Sequence, residues 1–409
     1  GALGNSANTS YNTVVKSGAA LQIDGASLTI PEAITISGTG INNDGVIRNL
    51  SSSTGTNIIA GPITLAADAE INSDANTLQF STAGTINTST FGLSLGGAGV
   101  ISALGIISGS GAITKIDGGS LILNAANTYT GATNINAGFV NIQASAALGA
   151  TSAGTTVSSG AALQVQGGVS FAAEPITISG TGISNDGVIR NISGDNTLAG
   201  PITLAAISRI NSDLNTLTFN NTNSIALATY GLTIGGNGNN TISGVLGSTA
   251  SSATATLTKE GSGTLVLSGA NTYTGATSIT SGIVQVQNNN ALGSQTAGTG
   301  TSNTTVSDGA ALQIMGASLV IPEAISVYGT GISNGGVIRN YTGSSGTNTL
   351  SNTITLNSNA RINVDAGTLA MTNGTAAIAL GNYTLNTGVN TSTNFNISGL
   401  LTGSGAFTK

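Results

Sequence analysis

Short runs in which apolar and polar side chains alternate occur along the whole chain. Examples are Leu21-Gln22-Ile23, Ile34-Thr35-Ile36 and Leu265-Val266-Leu267. Alternation with a period of two in runs rich in Ile, Val and Thr predicts half-buried β-strands. Gly, Asn and Ser separate the runs and predict tight turns, while no segment shows a helical period of useful length. The pattern therefore predicts an all-β chain of short strands.

The same blocks of sequence occur three times at a long spacing. The blocks are SGAALQI (residues 17–23, 159–165 and 308–314) and GTGINNDGVIRN (38–49, 180–191 and 329–340), with small changes between copies. Ala-Leu-Gly at residues 147–149 and 291–293 sets the period at about 144 residues. A fixed long period is typical of a solenoid or array. We predict tandem units at residues 1–146, 147–290 and 291–409, the last one truncated, within a longer array.

Composition narrows the fold class. Hydrophobic residues make up 39% of the chain and aromatic residues 3%, and tryptophan is absent. A sandwich, a barrel or a string of separate beads would need a thicker core with more aromatic side chains. A β-helix needs only small Ile, Val, Leu and Ala side chains stacked from coil to coil. We therefore predict a β-helical solenoid with coils of roughly 20–25 residues, about six in each repeat.

Charge and residue types exclude several classes of function. Only 6% of residues are charged, the net charge is −6, and Cys and His are absent. The usual nucleophile–base pairs and most metal sites need those two residue types, so we expect no catalytic residue, no metal and no cofactor. The pI of 4.4 argues against nucleic acid. No apolar run approaches the roughly 20 residues of a membrane-spanning helix.

A few polar residues recur at fixed places in the repeat. We expect each arginine to form an ion pair with the aspartate about one coil further on, and the asparagines to form turns and stacked ladders. We also expect Glu70, which is replaced by Arg209 and Arg361 in the later copies, to be solvated. The candidate structural residues are Arg48, Arg190 and Arg339; Asp74, Asp213 and Asp365; Asn49, Asn191 and Asn340; and Asn72, Asn211 and Asn363.

Two segments resemble a known family. Residues 257–277 read LTKEGSGTLVLSGANTYTGAT, and residues 113–133 read ITKIDGGSLILNAANTYTGAT. The pattern K-x-G-x-G-x-L-x-L-x-G-x-N-x-Y-x-G is similar to the autotransporter-associated β-strand repeat, also called the passenger-associated transport repeat. The resemblance implies a right-handed parallel β-helix on a bacterial surface. It also implies export aided by the repeat, and a C-terminal outer-membrane β-barrel in the parent protein.

These observations lead to one expected function and two alternatives. We expect a structural segment of a secreted or surface-displayed bacterial protein, acting as a rigid stalk, fibre or adhesin passenger in contacts between cells. Self-association into fibres and contact with glycans are the expected partnerships. The first alternative is a glycan-binding module that uses its repeated Arg, Asn and Tyr side chains. The second is a polysaccharide-degrading enzyme, which we disfavour because nearly every Asp, Lys and Arg occupies a repeated position.

Overall fold

The molecule is built from strands and turns. The computed structural model describes residue 3 and residues 12–222, 225–247, 255–294 and 303–409. These residues form a right-handed parallel β-solenoid of about 16 coils, roughly 23 residues apart, with almost no helix. The predicted fold class is confirmed.

The chain separates into two compact units, Gly1–Gly200 and Pro201–Lys409. The strands of the first unit are β1 (Thr13–Val15), β2 (Leu21–Ile23), β3 (Thr29–Ile30), β4 (Ile34–Gly38), β5 (Ile47–Asn49), β6 (Thr56–Ile59), β7 (Ile63–Ser73), β8 (Thr77–Phe80), β9 (Ile86–Asn87), β10 (Leu93–Gly96), β11 (Val100–Ala103), β12 (Ile107–Ser108), β13 (Ile113–Lys115), β14 (Ser120–Leu123), β15 (Thr133–Ile135), β16 (Phe139–Ile142), β17 (Thr155–Val157), β18 (Ala162–Gln166), β19 (Ser170–Phe171), β20 (Ile176–Gly180), β21 (Ile189–Ser193) and β22 (Asn196–Leu198).

The second unit contains the remaining strands. They are β23 (Ile202–Ser212), β24 (Thr216–Phe219), β25 (Ile225–Ala226), β26 (Leu232–Gly235), β27 (Asn239–Ile242), β28 (Leu246–Gly247), β29 (Leu257–Lys259), β30 (Thr264–Leu267), β31 (Thr277–Ile279), β32 (Gly282–Val286), β33 (Asn303–Val306), β34 (Ala310–Ile314), β35 (Val320–Ile321), β36 (Ala324–Val327), β37 (Ile338–Asn340), β38 (Thr347–Leu350), β39 (Ile354–Leu356), β40 (Ala360–Val364), β41 (Thr368–Met371), β42 (Ile378–Gly381), β43 (Leu385–Val389), β44 (Asn394–Ile397), β45 (Leu401–Gly403) and β46 (Phe407–Thr408). Helix in the described part of the chain is limited to single 3-10 turns at Ile41–Asn43, Ile183–Asn185 and Ile332–Asn334.

In the first unit most strands stack into three parallel ladders, with at most one strand per coil in each, and β19 pairs with β22. The first ladder joins β1, β4, the start of β7, β9 and β12. The second joins β2, β5, the end of β7, β10, β13, β15, β17 and β20. The third joins β3, β6, β8, β11, β14, β16, β18 and β21. These ladders are the three faces of each coil.

The sequence repeat and the coil are out of phase in this unit. β1 and β17 occupy the same place in the sequence repeat, and so do β2 and β18. However, β1 lies in the first ladder and β17 in the second, whereas β2 lies in the second and β18 in the third. One repeat therefore exceeds a whole number of coils by one face.

The second unit is also built from parallel ladders. One begins at the start of β23 and continues through β25 and β28. Another joins the end of β23 to β26, β29, β31, β33, β36, β39, β42 and β45. A third runs from β24 through β27, β30, β32, β34, β37, β40 and β43 to β46. In the last coils β35, β38, β41 and β44 stack on one another.

The core is a stack of aliphatic side chains along each ladder. In the second ladder of the first unit, Ile47, Ile71 and Leu95 follow one another and are fully buried. The intervening residues of each strand point outward, so the Ile-Thr-Ile alternation becomes an apolar interior and a hydroxyl-bearing surface. The boundary between the two units falls inside the second sequence repeat, and the division into three repeat units remains a prediction.

Candidate functional site

Arg48 lies against the aspartates on either side of it. Its Nε donates to Oδ2 of Asp74 over 2.7 Å, and Asp74 belongs to the next coil. Its Nη1 donates to Oδ2 of Asp44 over 2.8 Å, within the turn that leads into β5. Since the guanidinium is shared between two carboxylates, it links a turn to the coil that follows.

The other two arginines show variations on this arrangement. In the second unit Nε and Nη2 of Arg339 lie 2.8 Å and 2.6 Å from the same oxygen, Oδ2 of Asp365, and the guanidinium stands 5.1 Å from the ring centroid of Tyr341. In the first unit Nη1 of Arg190 lies 3.1 Å from Asp186. Asp213 follows β23 in the second unit and is half-buried. The arginines thus hold turns and neighbouring coils by charge-assisted hydrogen bonds.

Asn49, Asn191 and Asn340 are fully buried at corners. The Asn49 side chain donates to the Ala75 carbonyl of the next coil over 2.9 Å and accepts from Asn57 over 2.8 Å. Asn340 makes the corresponding bond to Asn348, also at 2.8 Å. These Asn–Asn bonds join residues of the same coil, so at these two positions we find paired corners instead of the expected ladder of identical asparagines.

The charge-reversed position is not solvated, and that expectation was wrong. Glu70 is only 8% exposed and accepts a hydrogen bond from Asn72 over 2.8 Å, and burial raises its pKa. Nε of Arg209 instead donates to Oδ1 of Asn211 over 3.1 Å. An amide can donate or accept, so the asparagine two residues later supports either charge.

Arg361 and Asn363 repeat this contact, with Nε and Oδ1 2.9 Å apart. The second asparagine set, Asn72, Asn211 and Asn363, is therefore placed beside a charged side chain in every copy. Sequence reasoning assigned these residues to corners and did not pair them with the charge two positions before them.

Lys115 lies inside the coil. Its position in β13 is in register with Leu95 on one side and Ile135 on the other, both in the aliphatic stack, and it is 1% exposed. The side chain is buried, and its Nζ donates to the carbonyl oxygens of the two following residues, Ile116 and Asp117. These bonds satisfy main-chain carbonyl groups in the turn that follows β13.

Lys259 has the same environment in the second unit. It stands between Ile234 and Ile279 and donates to the carbonyl oxygens of Glu260 and Gly261 over 2.5 Å and 2.9 Å. Burial lowers the pKa of both lysines to about 8, because desolvation disfavours the charged form. The repeat motif in the sequence includes these lysines, but sequence reasoning gave them no role.

A buried asparagine bridges coils where one ladder has no strand. In the first unit Asn127 accepts from the Ile107 amide over 2.8 Å and donates to the Ala147 carbonyl over 2.6 Å. In the second unit Asn271 makes the same bonds to Leu246 and Ala291, at 2.8 Å and 2.6 Å. One amide side chain therefore replaces main-chain bonds to the coil before and the coil after.

Each of these coils also contains a fully buried tyrosine. Tyr129 is fully buried with its hydroxyl 2.6 Å from Oγ1 of Thr133, and Tyr273 lies 2.7 Å from Thr277 in the same way. Burial raises the pKa of both phenols. Nearby in the first unit, Glu174 is 5% exposed and accepts from Thr155 over 2.9 Å, and burial raises its pKa.

The described residues contain no group of three or more His, Cys, Asp or Glu side chains placed to hold a metal ion. In the same part of the chain, no helix has the length and apolar character needed to cross a bilayer. The recurring arginines, lysines and asparagines described above bond to main-chain groups and to neighbouring side chains.

Two segments match the family model of the passenger-associated transport repeat, residues 113–142 and 257–286. Each begins at the strand with the buried lysine, β13 or β29, passes through the Asn and Tyr positions, and ends at β16 or β32. The matches confirm the resemblance. They also show that each passenger-associated transport repeat covers one coil of the solenoid and part of the next. No curated protein and no solved structure matches the chain.

Proposed function

We propose that this chain is a structural segment of a bacterial passenger protein that is exported and displayed on the cell surface. The two passenger-associated transport repeats and the β-solenoid support this role. In this role the coils form a stiff stalk or fibre that makes contacts with other cells. Each coil contacts its neighbours, so repeats can be added without redesign of the rest.

One observation carries the proposal: the characteristic residues of the matched repeat point inward. Lys115, Asn127 and Tyr129 are at most 3% exposed, and so are Lys259 and Tyr273. A ligand-binding or catalytic motif has to reach solvent, whereas these side chains bond to main chain and to a neighbouring hydroxyl. The repeat therefore acts by closing and stacking coils, which is the task of a scaffold that folds after export.

The glycan-binding alternative is less well supported. Its best candidates are Arg339 and Tyr341, but the arginine is held by Asp365 and lies over the tyrosine ring. The corresponding residues after Arg48 and Arg190 are Leu50 and Ile192, so no aromatic residue recurs there. The multivalency that this alternative needs is missing at its most suitable surface.

Surface proteolysis tests the proposed location. Intact cells that produce the protein are treated with a broad-specificity protease, and released peptides are identified by mass spectrometry. We expect peptides from surface turns, with residues 113–142 and 257–286 cut last because their coils are closed by buried polar bonds. Recovery of peptides only after cell lysis would overturn the proposal. A periplasmic protein and a known surface protein of the same cells are the controls.

A further inference from the structure

A glycine lies opposite each residue of the second asparagine set. The pairs in register are Asn72 with Gly96, Asn211 with Gly235 and Asn363 with Gly388. Because glycine has no side chain, a space remains over it, and side chains of the preceding coil extend into this space. We call each of these spaces a glycine slot.

In the second unit the glycine slots hold guanidinium groups. A methyl group added at Gly235 would lie 2.5 Å from Oδ1 of Asn211 and 2.6 Å from Nη2 of Arg209. Nη1 of the same arginine lies 2.5 Å from Oε2 of Glu260, so a carboxylate from two coils further on balances its charge. Arg361 extends into the third slot in the same way, with its Nη2 2.8 Å from the methyl position. A cation beside an amide oxygen therefore fills the slot in these two copies.

In the first unit the slot over Gly96 is lined by oxygen atoms instead of a guanidinium group. A methyl group added there would lie 2.5 Å from Oδ1 of Asn72 and 2.6 Å from Oδ2 of Asp117, with Cγ1 of Ile116 at 2.8 Å. Nδ2 of Asn72 donates to Glu70, which directs Oδ1 of the same amide towards the slot. This oxygen is buried and has no hydrogen-bond partner among the described residues.

Burial makes this arrangement costly for the protein alone. Asn72 is only 6% exposed and Glu70 beside it 8%, and a buried acceptor that lacks a donor is destabilising. Burial is the main reason that the pKa of Glu70 is raised, and the negative charges of Asp117 and Asp44 add to this effect. Two carboxylates and an orphaned amide oxygen thus face a position that a cation fills in the other copies.

The formal charges around the first slot are two more negative than positive. The negative charges belong to Asp44, Glu70, Asp74 and Asp117, and the positive charges to Arg48 and Lys115. In the second copy the corresponding set has three charges of each sign, those of Asp186, Asp213, Glu260, Arg190, Arg209 and Lys259. The difference arises because a glutamate replaces an arginine, and one divalent cation would restore the balance.

We propose that the glycine slot of the first unit binds a calcium ion through Glu70, Asn72 and Asp117. Carboxylate and amide oxygens are the ligands that Ca²⁺ takes, at about 2.3–2.6 Å and in flexible geometry. Mg²⁺ demands a near-ideal octahedron and gives up water reluctantly, so it fits less well. The ion links β7 to the turn after β13, as the pair of Arg209 and Glu260 links the equivalent coils of the second unit.

This site departs from the expectation that the chain holds no metal. That expectation rested on the absence of Cys and His, which a calcium site does not need. Only two of the three proposed ligands are acidic, and the third is an amide that becomes visible as a ligand once its unpartnered oxygen is located.

Equilibrium dialysis against calcium chloride measures the calcium bound by the purified chain, in roughly 0.15 M salt to screen diffuse attraction. With three protein ligands we expect a dissociation constant of about 0.1–1 mM, as in extracellular modules. Glu70→Arg places a guanidinium group in the slot and should bind one calcium ion fewer than the wild type. Asp24→Arg makes the same change of charge at an exposed position and should bind as the wild type does.

The reciprocal substitution guards against a variant that simply misfolds. Arg209→Glu sets a carboxylate beside Asn211 and Glu260 and should bind one calcium ion more than the wild type. Arg361→Glu is its matched control, because residues 366–409 contain no Asp or Glu to supply a second carboxylate. This control should gain no calcium.

Gly96→Ala keeps every charge and fills the slot with a methyl group. It should weaken binding by about tenfold or more, the scale found for residues that orient metal ligands. A wild-type chain that binds no calcium at millimolar concentration, unchanged binding in Glu70→Arg, an equal loss in Asp24→Arg, or equal gains in the two second-unit variants would each overturn the inference. None of these outcomes bears on cell-surface location, which the proteolysis experiment tests separately.

Discussion

The two buried lysines predict that the protein becomes more stable in mildly alkaline solution. Burial lowers the pKa of Lys115 and Lys259 to about 8, whereas an unfolded lysine titrates near about 10.4. Between these values the unfolded chain keeps a proton that the folded chain has released, so the free energy of unfolding rises with pH. At about 1.4 kcal/mol per proton and pH unit, each lysine contributes about 2 kcal/mol between about pH 8 and about pH 9.5.

Two tyrosines limit this gain at higher pH. Burial raises the pKa of Tyr129 and Tyr273 in the folded chain, while unfolded tyrosine ionises near about pH 10. Above that pH the unfolded chain releases protons that the folded chain keeps, and stability falls. The expected profile is therefore a rise from about pH 8 followed by a fall above about pH 10.

Denaturant unfolding at a series of pH values measures the profile. The test variant carries Lys115→Met and Lys259→Met, which keep the length and apolar stem of the side chains. It should lose the rise between about pH 8 and about pH 9.5. Lys16→Met is the matched control, because Lys16 is exposed, and it should keep the rise. A wild-type profile that is flat or falling in this window, or a rise that survives in the double variant, would refute the reasoning.

Three further substitutions have defined outcomes. Arg339→Ala should lower the free energy of unfolding by about 1 kcal/mol, because Asp365 is only 13% exposed at its side chain and loses its cation; an unchanged thermal midpoint would contradict this. Burial raises the pKa of Glu174, so the folded chain takes up a proton at a higher pH than the unfolded chain, and the free energy of unfolding rises as the pH falls from neutral. Glu174→Gln should remove this rise. Denaturant midpoints across the acidic range measure it. Gly40→Ala should cost several kcal/mol and Gly18→Ala about 1 kcal/mol, because both have positive φ but only the methyl at residue 40 meets backbone across its turn; similar midpoints for the two variants would count against this account.

Much of the fold could be read from local pattern. Ile34-Thr35-Ile36 alternates, is flanked by turn residues and forms β4. The spacing of Arg48 and Asp74, 26 residues, is close to one coil, and the structure brings the two side chains within 2.7 Å. Period and spacing suffice in such cases because a coil stacks each strand on the one before it.

The buried lysines could not be placed in this way. A charged side chain in the run Ile113-Thr114-Lys115 is expected in solvent, because lysine is almost never fully buried without partners. Its partners here are main-chain carbonyls, which leave no mark on the sequence. The available signal was that Lys115 occupies an apolar position of the alternation, in phase with Ile113.

The phase between repeat and coil was equally hidden. Strands in register are 20 residues apart from Leu93 to Ile113 but 29 residues apart from Ile34 to Ile63. Because the turns differ so much in length, counting residues along the sequence does not show to which ladder a distant strand belongs. Only the strand pairing shows that one repeat ends a face further on than it began.

This one-face excess gives gene duplication a geometric effect. Within the first unit, moving by one repeat takes an equivalent strand to the neighbouring ladder, as from β1 to β17. Recombination that inserts or deletes a single repeat would therefore turn the coils that follow it within a unit by about a third of a revolution. A change of three repeats would restore the original direction. Copy number thus sets the direction in which a distal surface faces, and variants of the gene that differ by one repeat would present the same side chains to different neighbours.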